Sequence, residues 1–301
     1  MTTAKDVGLA DGRVLRVYDT GPAGSGDGAD TRSGGGTGSS GSAPDHNGAL
    51  TLLWHHGSPQ TGALLAPLLS ATAERGIRLL SYARPSYGGS SPNPRRNVAS
   101  AAADVAQIAD ALELARFAVM GASGGGPHAL ACAALLPDRV TAAVCLAGIA
   151  PFTTEFDWFG GMAAPGGLRS AMNGQAARAL YAETDVFDRN VFTAADWAAL
   201  GGAWSSLGDD SVRAGAAGPD GLIDDDVAFA MPWGFDVARV AAPVLLVQGG
   251  EDRVVPASHA DSLLHAIGSS ELWLRPHDGH ISVLEAVPVA LDWLLGIAGR
   301  R

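Results

Sequence analysis

Short apolar runs alternate along the chain with longer segments whose apolar residues recur at helical spacing. The short runs are typical of strands buried on both faces of a sheet, and the longer segments are typical of amphipathic helices. Predicted strands cover residues 49–55, 77–82, 117–120, 140–146, 244–248 and 271–274, after a hairpin over 7–18. Predicted helices cover residues 63–75, 97–114, 257–267 and 283–295, together with the run after Gly125. This alternation predicts an α/β fold, in which helices cover both faces of a mostly parallel sheet.

The alternation stops between residues 151 and 233. This stretch holds paired glycines, short helical segments and several tryptophans, and the strand and helix rhythm returns after it. We therefore interpret residues 151–235 as a helical cap inserted between two strands. The predicted α/β core consists of residues 1–150 and 236–301.

A second interruption, residues 21–48, consists almost entirely of Gly, Ser, Ala, Asp and Thr without apolar periodicity. Such a segment buries too little apolar surface to offset the conformational entropy lost on ordering. We predict a flexible Gly/Ser-rich insertion in the core. A linker that contacts a partner is the alternative.

Composition and charge restrict the partners. The 301 residues carry a formal net charge of −11 and Lys5 is the only lysine, which argues against nucleic-acid and membrane partners. Cys132 and Cys145 lie in apolar runs without metal-ligand spacing, so we expect reduced thiols, no metal and no cofactor. The N-terminal residues lack a signal-peptide pattern, and no apolar run is long enough to span a membrane. We expect a cytoplasmic protein of undetermined oligomeric state.

The chain turns from a predicted strand into a predicted helix at Gly121-Ala122-Ser123-Gly124-Gly125. A G-x-S-x-G pattern in this context is typical of a nucleophile elbow, a tight turn that lifts a serine hydroxyl above the end of a sheet. The glycines fit because a Cβ there would collide with the neighbouring strand or helix. Ser123 is therefore the candidate nucleophile. A glycine-rich loop whose serine caps the next helix is the alternative.

Three further motifs follow predicted strands. They are His56-Gly57-Ser58-Pro59, Gly249-Gly250-Glu251-Asp252 and Asp278-Gly279-His280. Ligands bind beyond the carboxyl ends of parallel strands, so these motifs and the Ser123 turn are expected to converge on one edge of the sheet. Together they resemble the α/β-hydrolase fold family, in the serine-nucleophile branch of esterases and proline iminopeptidases. The resemblance covers residues 50–150 and 240–299.

The chemistry of the candidate nucleophile requires a base. A histidine with a pKa near about 6.5 can take a proton from a serine hydroxyl and return it. We assign this role to His280, and we assign to Asp252 the role of holding the histidine tautomer, because the family's chain order of Ser, Asp and His is then met. His277 is the alternative base, and Glu251 and Asp278 are the alternative acids.

Negative charge that develops on a substrate oxygen needs two preorganised N–H donors. The resemblance assigns them to the backbone amides of Ser58 and Gly124, where side-chain identity is expected to matter little. His259 and His265 are interpreted as surface positions on a helix. The residues expected at the pocket are His56, His128, Phe156 and Trp158.

Two classes of function remain. The first is a serine hydrolase that cleaves an ester, amide or related acyl bond of a small molecule through an acyl-enzyme. The second is a catalytically silent protein of the same fold that binds a small molecule. A cofactor-free perhydrolase or haloperoxidase would use the same triad, and the substrate depends on cap side chains that sequence does not place.

The predicted cap holds most of the negative charge. Between residues 151 and 234 it carries four arginines and twelve carboxylates, a net charge of −8. We interpret most of these carboxylates as groups that solvate the cap. Carboxylates at the entrance would instead favour neutral or cationic substrates. Glu155 and Asp157 follow the strand whose end borders the site, and an iminopeptidase-like enzyme would use such acids to hold a free amino terminus.

Deleting residues 27–43 is expected to leave the melting temperature and the turnover almost unchanged. Loop-closure entropy depends only weakly on loop length, and the deletion removes no predicted core residue. Thermal unfolding of the deletion variant beside the full chain checks this. A large loss of melting temperature would mean that the segment packs onto the body of the protein.

Overall fold

One sheet organises the molecule. The computed structural model describes residues 2–22 and 49–300, so nearly all of the predicted insertion 21–48 lies outside the described residues. The strands are β1 (Thr3–Gly8), β2 (Val14–Asp19), β3 (Thr51–His55), β4 (Arg78–Tyr82), β5 (Phe117–Ala122), β6 (Val140–Leu146), β7 (Val244–Gly249) and β8 (Ser270–Arg275). Their order in the sheet is β1-β2-β4-β3-β5-β6-β7-β8. β2 pairs antiparallel with β1 and β4, and all other pairs are parallel.

Helices cover the sheet and fill the segment between β6 and β7. They are α1 (Ala66–Ala73), α2 (Ser100–Ala111), α3 (Gly125–Leu135), α4 (Gly166–Ala171), α5 (Gln175–Ala182), α6 (Ala194–Gly201), α7 (Ser205–Ala216), α8 (Asp220–Ala230), α9 (Ala257–Ala266) and α10 (Val287–Ala298). The predicted α/β class is thereby confirmed. None of the helices in the described part of the chain is both long and apolar enough to cross a membrane.

Helices α4 to α8 occupy the predicted cap, residues 151–235. α4, α5 and α8 pack against one another, and α6 packs against α7. α6 also contacts the 3₁₀ helix Ser282–Ala286, which follows β8. The division of the chain into a core domain and a cap domain stays a prediction.

Strand β5 shows how the two faces of the sheet are filled. Phe117 and Val119 belong to a buried cluster with residues of α2, α3 and α9. Ala118 and Met120, which alternate with them, belong to a second cluster with residues of α1 and α10. Because successive side chains of a strand point to opposite faces, the continuous apolar run covers both faces at once.

The C-terminal helix differs from its prediction. The periodicity over residues 283–295 predicts one helix, but the chain forms the 3₁₀ helix Ser282–Ala286 and then α10. Pro288 lies in the first turn of α10. A proline lacks the amide that would bond to the preceding turn and is accommodated only at the start of an α-helix, so α10 begins one residue before it.

The turn between β5 and α3 is strained and closely packed. Ser123 has a φ of +53°, and its amide donates to the carbonyl oxygen of Leu146 at 2.8 Å. A left-handed backbone at a non-glycine residue costs about 1–3 kcal/mol and persists where neighbours hold it. A Cβ on Gly121 would lie 2.2 Å from the carbonyl oxygen of Gly125, and a Cβ on Gly125 would lie 2.0 Å from that of His55. The predicted steric reason for these glycines is confirmed.

Gly125→Ala is expected to destabilise the protein by about 1–3 kcal/mol or more, because the added methyl group would overlap the backbone of β3. The control is Gly8→Ala, since a Cβ on Gly8 meets no atom within 4 Å. We expect the control to change stability by less than about 0.5 kcal/mol. Denaturant unfolding of both variants measures the difference, and equal stability would contradict the close approach at Gly125.

Candidate active site

Three predicted residues meet beyond the carboxyl ends of the parallel strands. Ser123 follows β5, Asp252 follows β7 and His280 follows β8. The Ser123 hydroxyl donates to His280 Nε2 at 2.9 Å. His280 Nδ1 donates to Asp252 Oδ2 at 2.8 Å. These three side chains therefore form one chain of hydrogen bonds that can move a proton between a hydroxyl and an imidazole.

The loop after β7 holds the carboxylate in place. Asp252 Oδ1 accepts hydrogen bonds from the backbone amides of Val254 and Val255, at 2.8 and 2.9 Å. Gln248 Nε2 donates to Asp252 Oδ2 at 3.2 Å and to the Val255 carbonyl oxygen at 2.9 Å. Gln248 was not among the residues predicted for the site. A single polar residue at the end of an otherwise apolar strand is the signal that would have indicated it.

His280 is buried, and two carboxylates act on its imidazole. Burial by itself lowers the pKa of His280. The negative charge of Asp252, the hydrogen bond to Asp252 and the charge of Asp196 outweigh burial, so the pKa lies above its ordinary value. An imidazolium that forms here is stabilised by the carboxylate that orients the ring.

The alternative base and acids lie outside this chain of hydrogen bonds. The His277 side chain is 93% exposed, and its Nδ1 lies 3.8 Å from Glu251 Oε1. Asp278 forms an ion pair with Arg275 at the end of β8. The structure joins His280 to Ser123 and Asp252 to His280, and it does not join these neighbours to them.

The loop after β3 lies against the Ser123 turn. A Cβ on Gly57 would lie 3.7 Å from Ser123 Cβ, and a Cβ on Gly124 would lie 2.3 Å from Ser58 Oγ. Neither Ser58 nor Gly124 donates its backbone amide to an acceptor among the described residues. Both amides are thus unpaired beside the candidate nucleophile, as the assigned oxyanion donors would have to be.

A buried charge cluster around Asp225 of α8 holds this loop. Asp225 of α8 has no exposed surface, and it accepts hydrogen bonds from Ser58 Oγ at 2.5 Å and from Tyr87 OH at 3.0 Å. Arg84 Nη2 and Arg96 Nη1 lie 2.6 and 2.7 Å from its carboxylate oxygens. Burial by itself raises the pKa of Asp225, but the two guanidinium charges hold the pKa well below its usual range. The Ser58 hydroxyl therefore attaches this loop to Asp225, whereas the resemblance predicts that side-chain identity at Ser58 matters little.

Several carboxylates of the predicted cap do not solvate the surface. Asp196, Asp210 and Asp225 are fully buried. Asp210 of α7 accepts hydrogen bonds from the Thr61 amide at 2.9 Å and the Thr61 hydroxyl at 2.7 Å. The interpretation of the cap acids as solvating groups is wrong for these three. They bind loops of the core instead, and the periodicity of their helices gave no indication of these partners.

The predicted pocket residues divide into two groups. His56 and His128 are buried beside the charge cluster: the His56 ring packs on Tyr87, and His128 Nε2 lies 3.6 Å from Asp225 Oδ1. Burial lowers the pKa of His128 to about 4, so its imidazole is neutral at pH 7. Phe156 and Trp158 are placed elsewhere, with both rings packed on His259. The structure therefore does not bring the four residues into one group.

The surface position predicted for His259 is wrong. Its side chain is fully buried, Nδ1 accepts from the Ala150 amide at 3.2 Å, and the Nε2 hydrogen bond to the Trp158 carbonyl oxygen is 2.9 Å long. Burial lowers the pKa of His259 to about 4. The missed signal is its spacing of four residues from Leu263 and eight from Ile267, both buried, which places His259 on the inner face of α9.

The cysteines and the other potential metal ligands are placed as follows. These residues contain no group of three or more His, Cys, Asp or Glu side chains arranged to hold a metal ion. Cys132 and Cys145 are buried free thiols. Burial raises the pKa of Cys145 to about 12 and raises that of Cys132 as well, so neither is a thiolate at neutral pH.

The chain is similar in sequence to known proteins of one fold. Residues 51–166 match the sequence profile of the alpha/beta hydrolase fold. A non-heme chloroperoxidase from Streptomyces lividans is 28% identical over 230 residues, which are 70% of this chain and 77% of that protein.

Two solved structures match nearly the whole chain. A hydrolase from Pseudomonas aeruginosa PA01 superposes with a TM-score of 0.70 at 22% identity, covering 99% of this chain and 98% of the other. A thermophilic esterase from Thermogutta terrifontis superposes with a TM-score of 0.68 at 18% identity, covering 98% and 99%. At this identity the likeness concerns the fold. With the sheet order, the left-handed turn at Ser123 and the profile match over residues 51–166, it shows that the chain has the α/β-hydrolase fold.

Proposed function

We propose that this protein is a serine hydrolase that cleaves an acyl bond of a small molecule through an acyl-enzyme. The observation that carries the proposal is the chain of hydrogen bonds from Ser123 through His280 to Asp252. The two unpaired amides of Ser58 and Gly124 beside the nucleophile add to it. The same constellation of groups serves acyl transfer on several unrelated folds.

The first half of the reaction acylates the enzyme. Ser123 Oγ attacks the substrate carbonyl carbon while its proton passes to His280 Nε2. The carbonyl oxygen becomes an oxyanion and accepts hydrogen bonds from the Ser58 and Gly124 amides. When the bond to the leaving group breaks, His280 gives its proton to the leaving oxygen or nitrogen, and the acyl group stays on Ser123. Asp252 stabilises the imidazolium and keeps its orientation.

The second half releases the acid. His280, neutral again, takes a proton from water, and the water oxygen attacks the acyl carbon. The bond from that carbon to Ser123 Oγ breaks, and Ser123 regains a proton from His280. The products are a carboxylic acid and the free enzyme, so no cofactor enters the balance.

We favour an ester over a peptide with a free amino terminus as the substrate. An iminopeptidase needs a carboxylate that is free to bind the ammonium group. Asp196, Asp210 and Asp225 already accept several hydrogen bonds from the protein. Glu155 and Asp157 are exposed at the start of the predicted cap and are the remaining candidates of the sequence analysis. The three buried acids are thus unavailable to an ammonium group, and this is the ground on which we favour a carboxylesterase-like enzyme.

A perhydrolase is the second candidate, and the 28% identity to a non-heme chloroperoxidase supports it. It would form the same acyl-enzyme and resolve it with hydrogen peroxide, giving a peracid in place of a carboxylic acid. Product analysis with acetate or an acetate ester, with and without peroxide, distinguishes the two. A silent ligand-binding protein is the third candidate.

Wild-type protein is expected to react with a fluorophosphonate at Ser123, and Ser123→Ala is expected to give no adduct and to lose turnover by about 10³-fold or more. The reason is that only an activated serine is phosphonylated. Intact mass and peptide mapping locate the adduct, and circular dichroism shows that the variant is folded. Absence of an adduct on folded wild-type protein would favour the silent binding protein.

Asp252→Asn is expected to lower turnover by up to about 10⁴-fold, since the amide no longer holds the histidine tautomer. The matched control is Glu251→Gln, which removes the adjacent and exposed carboxylate. Aryl-ester hydrolysis measures both variants. Loss of turnover in Glu251→Gln and not in Asp252→Asn would show that the acid is assigned to the wrong residue.

The ratio kcat/KM is expected to rise with pH as His280 loses its proton, because only the neutral imidazole can accept the Ser123 proton. The pKa of His280 is raised, so the midpoint should lie above the ordinary value of about 6.5. A pH profile from about 5 to 9 measures the midpoint. A flat profile would contradict the role of His280 as the base.

A further inference from the structure

The loop that carries His280 is held by a cap residue. Asp196 lies on α6, and its Oδ1 accepts hydrogen bonds from the backbone amides of Ile281 and Ser282, both at 2.8 Å. The Ser282 hydroxyl donates to the same oxygen at 2.9 Å. The two residues directly after His280 are thus bound to one carboxylate oxygen that comes from the segment between β6 and β7.

The loop is shaped to admit this carboxylate. A Cβ on Gly279 would lie 2.1 Å from Asp196 Oδ2, a distance at which no side chain fits. The Gly279 amide donates to Ser282 Oγ at 2.8 Å, which places the serine hydroxyl between the glycine and Asp196. Position 279, directly before His280, therefore requires a glycine because Asp196 approaches the backbone closely there.

The remaining oxygen of Asp196 is also occupied. Oδ2 accepts hydrogen bonds from the Thr193 amide at 2.9 Å and the Thr193 hydroxyl at 3.0 Å. The Asp196 amide donates to the Thr193 hydroxyl at 3.2 Å, and this bond and the one from the Thr193 amide form the capping box of α6. Burial by itself raises the pKa of Asp196, but the hydrogen bonds from Ser282, Thr193 and Ile281 outweigh it and lower the pKa. Asp196 is therefore an anion whose two oxygens are filled by protein donors, and it can affect the reaction only through other residues.

We propose that Asp196 is a positioning residue for the catalytic base: through Ile281 and Ser282 it sets the backbone of the loop and aims His280 Nε2 at Ser123. The base is then correctly placed only while α6 is docked on the core. The kinetic test of this proposal rests on the proposed hydrolase function. The NMR titration of His280 described below does not depend on that function.

Two groups bond to the His280 imidazole, a third acts on it through its charge, and each comes from a different element. Ser123 comes from the turn after β5, Asp252 from the loop after β7, and Asp196 from α6. The negative charges of Asp252 and Asp196 both act to raise the pKa of His280. Removing the charge of Asp196 should lower that pKa while the hydrogen bond to Asp252 remains.

The test compares Asp196→Asn with Asp210→Asn. Asp210 is a matched control because it is a fully buried carboxylate of the predicted cap that also binds a backbone amide and a hydroxyl of the core. Both variants should lose melting temperature. Only Asp196→Asn is expected to lower kcat by about 10- to 100-fold with little change in KM, since misplacing a catalytic group by about 1 Å has an effect of this size.

The pH profile separates positioning from a structural role. In Asp196→Asn the acid limb of kcat/KM should move to lower pH, and in Asp210→Asn it should stay at its wild-type position. NMR titration of the His280 imidazole, assigned with His280→Gln, gives the same comparison without any substrate. Equal kinetic losses in the two variants, with no difference in the His280 titration, would overturn the proposal.

Two further measurements cover the remaining outcomes. If Asp196→Asn does not fold, Ser282→Ala removes one of the donors to Asp196 and leaves both backbone bonds, and it should lower kcat by a smaller factor; an unchanged kcat would overturn the proposal. If the wild-type protein fails to react with a fluorophosphonate, the hydrolase function is wrong, and the NMR titration still decides whether Asp196 acts on His280.

Discussion

The turn at Ser123 is the constraint on which the rest of the site depends. Its left-handed backbone requires a close approach between the start of α3 and the end of β3, where a Cβ on Gly125 would meet the carbonyl oxygen of His55. The same approach brings the loop after β3 against Gly124. The candidate nucleophile and both candidate oxyanion donors therefore lie on two segments of backbone that pack directly against each other, the loop after β3 and the turn after β5.

Buried carboxylates attach the other loops of the site to the helices between β6 and β7. Asp225 binds the loop that contains Ser58, and Asp196 binds the residues after His280. A charge that is removed from water is tolerated only where partners replace its hydration, and loss of one partner costs about 3–5 kcal/mol. These contacts join the helices between β6 and β7 to the loops that carry Ser58 and His280.

The fold does not identify the reaction, because proteins that match this chain are named for different activities. The matching proteins include a hydrolase, an esterase and a non-heme chloroperoxidase. Function depends on the groups at the site and not on the sheet. In this chain these groups are Ser123, His280 and Asp252, together with the two unpaired amides of Ser58 and Gly124.

The sequence by itself determined the α/β class, the strand and helix order and the loops that meet beyond the sheet. Apolar periodicity reports burial along one element, and chain order then places Ser123, Asp252 and His280 at strand ends, so both could be predicted without coordinates. Only the tertiary structure decided the partners of Asp196 and Asp225. Asp196 is separated from Ile281 by 85 residues. The charges near Asp196 in the sequence show that the predicted cap is acidic, but they do not show which distant loop Asp196 binds. Long-range contacts between polar groups carry no periodicity, so they arise only when the elements have packed.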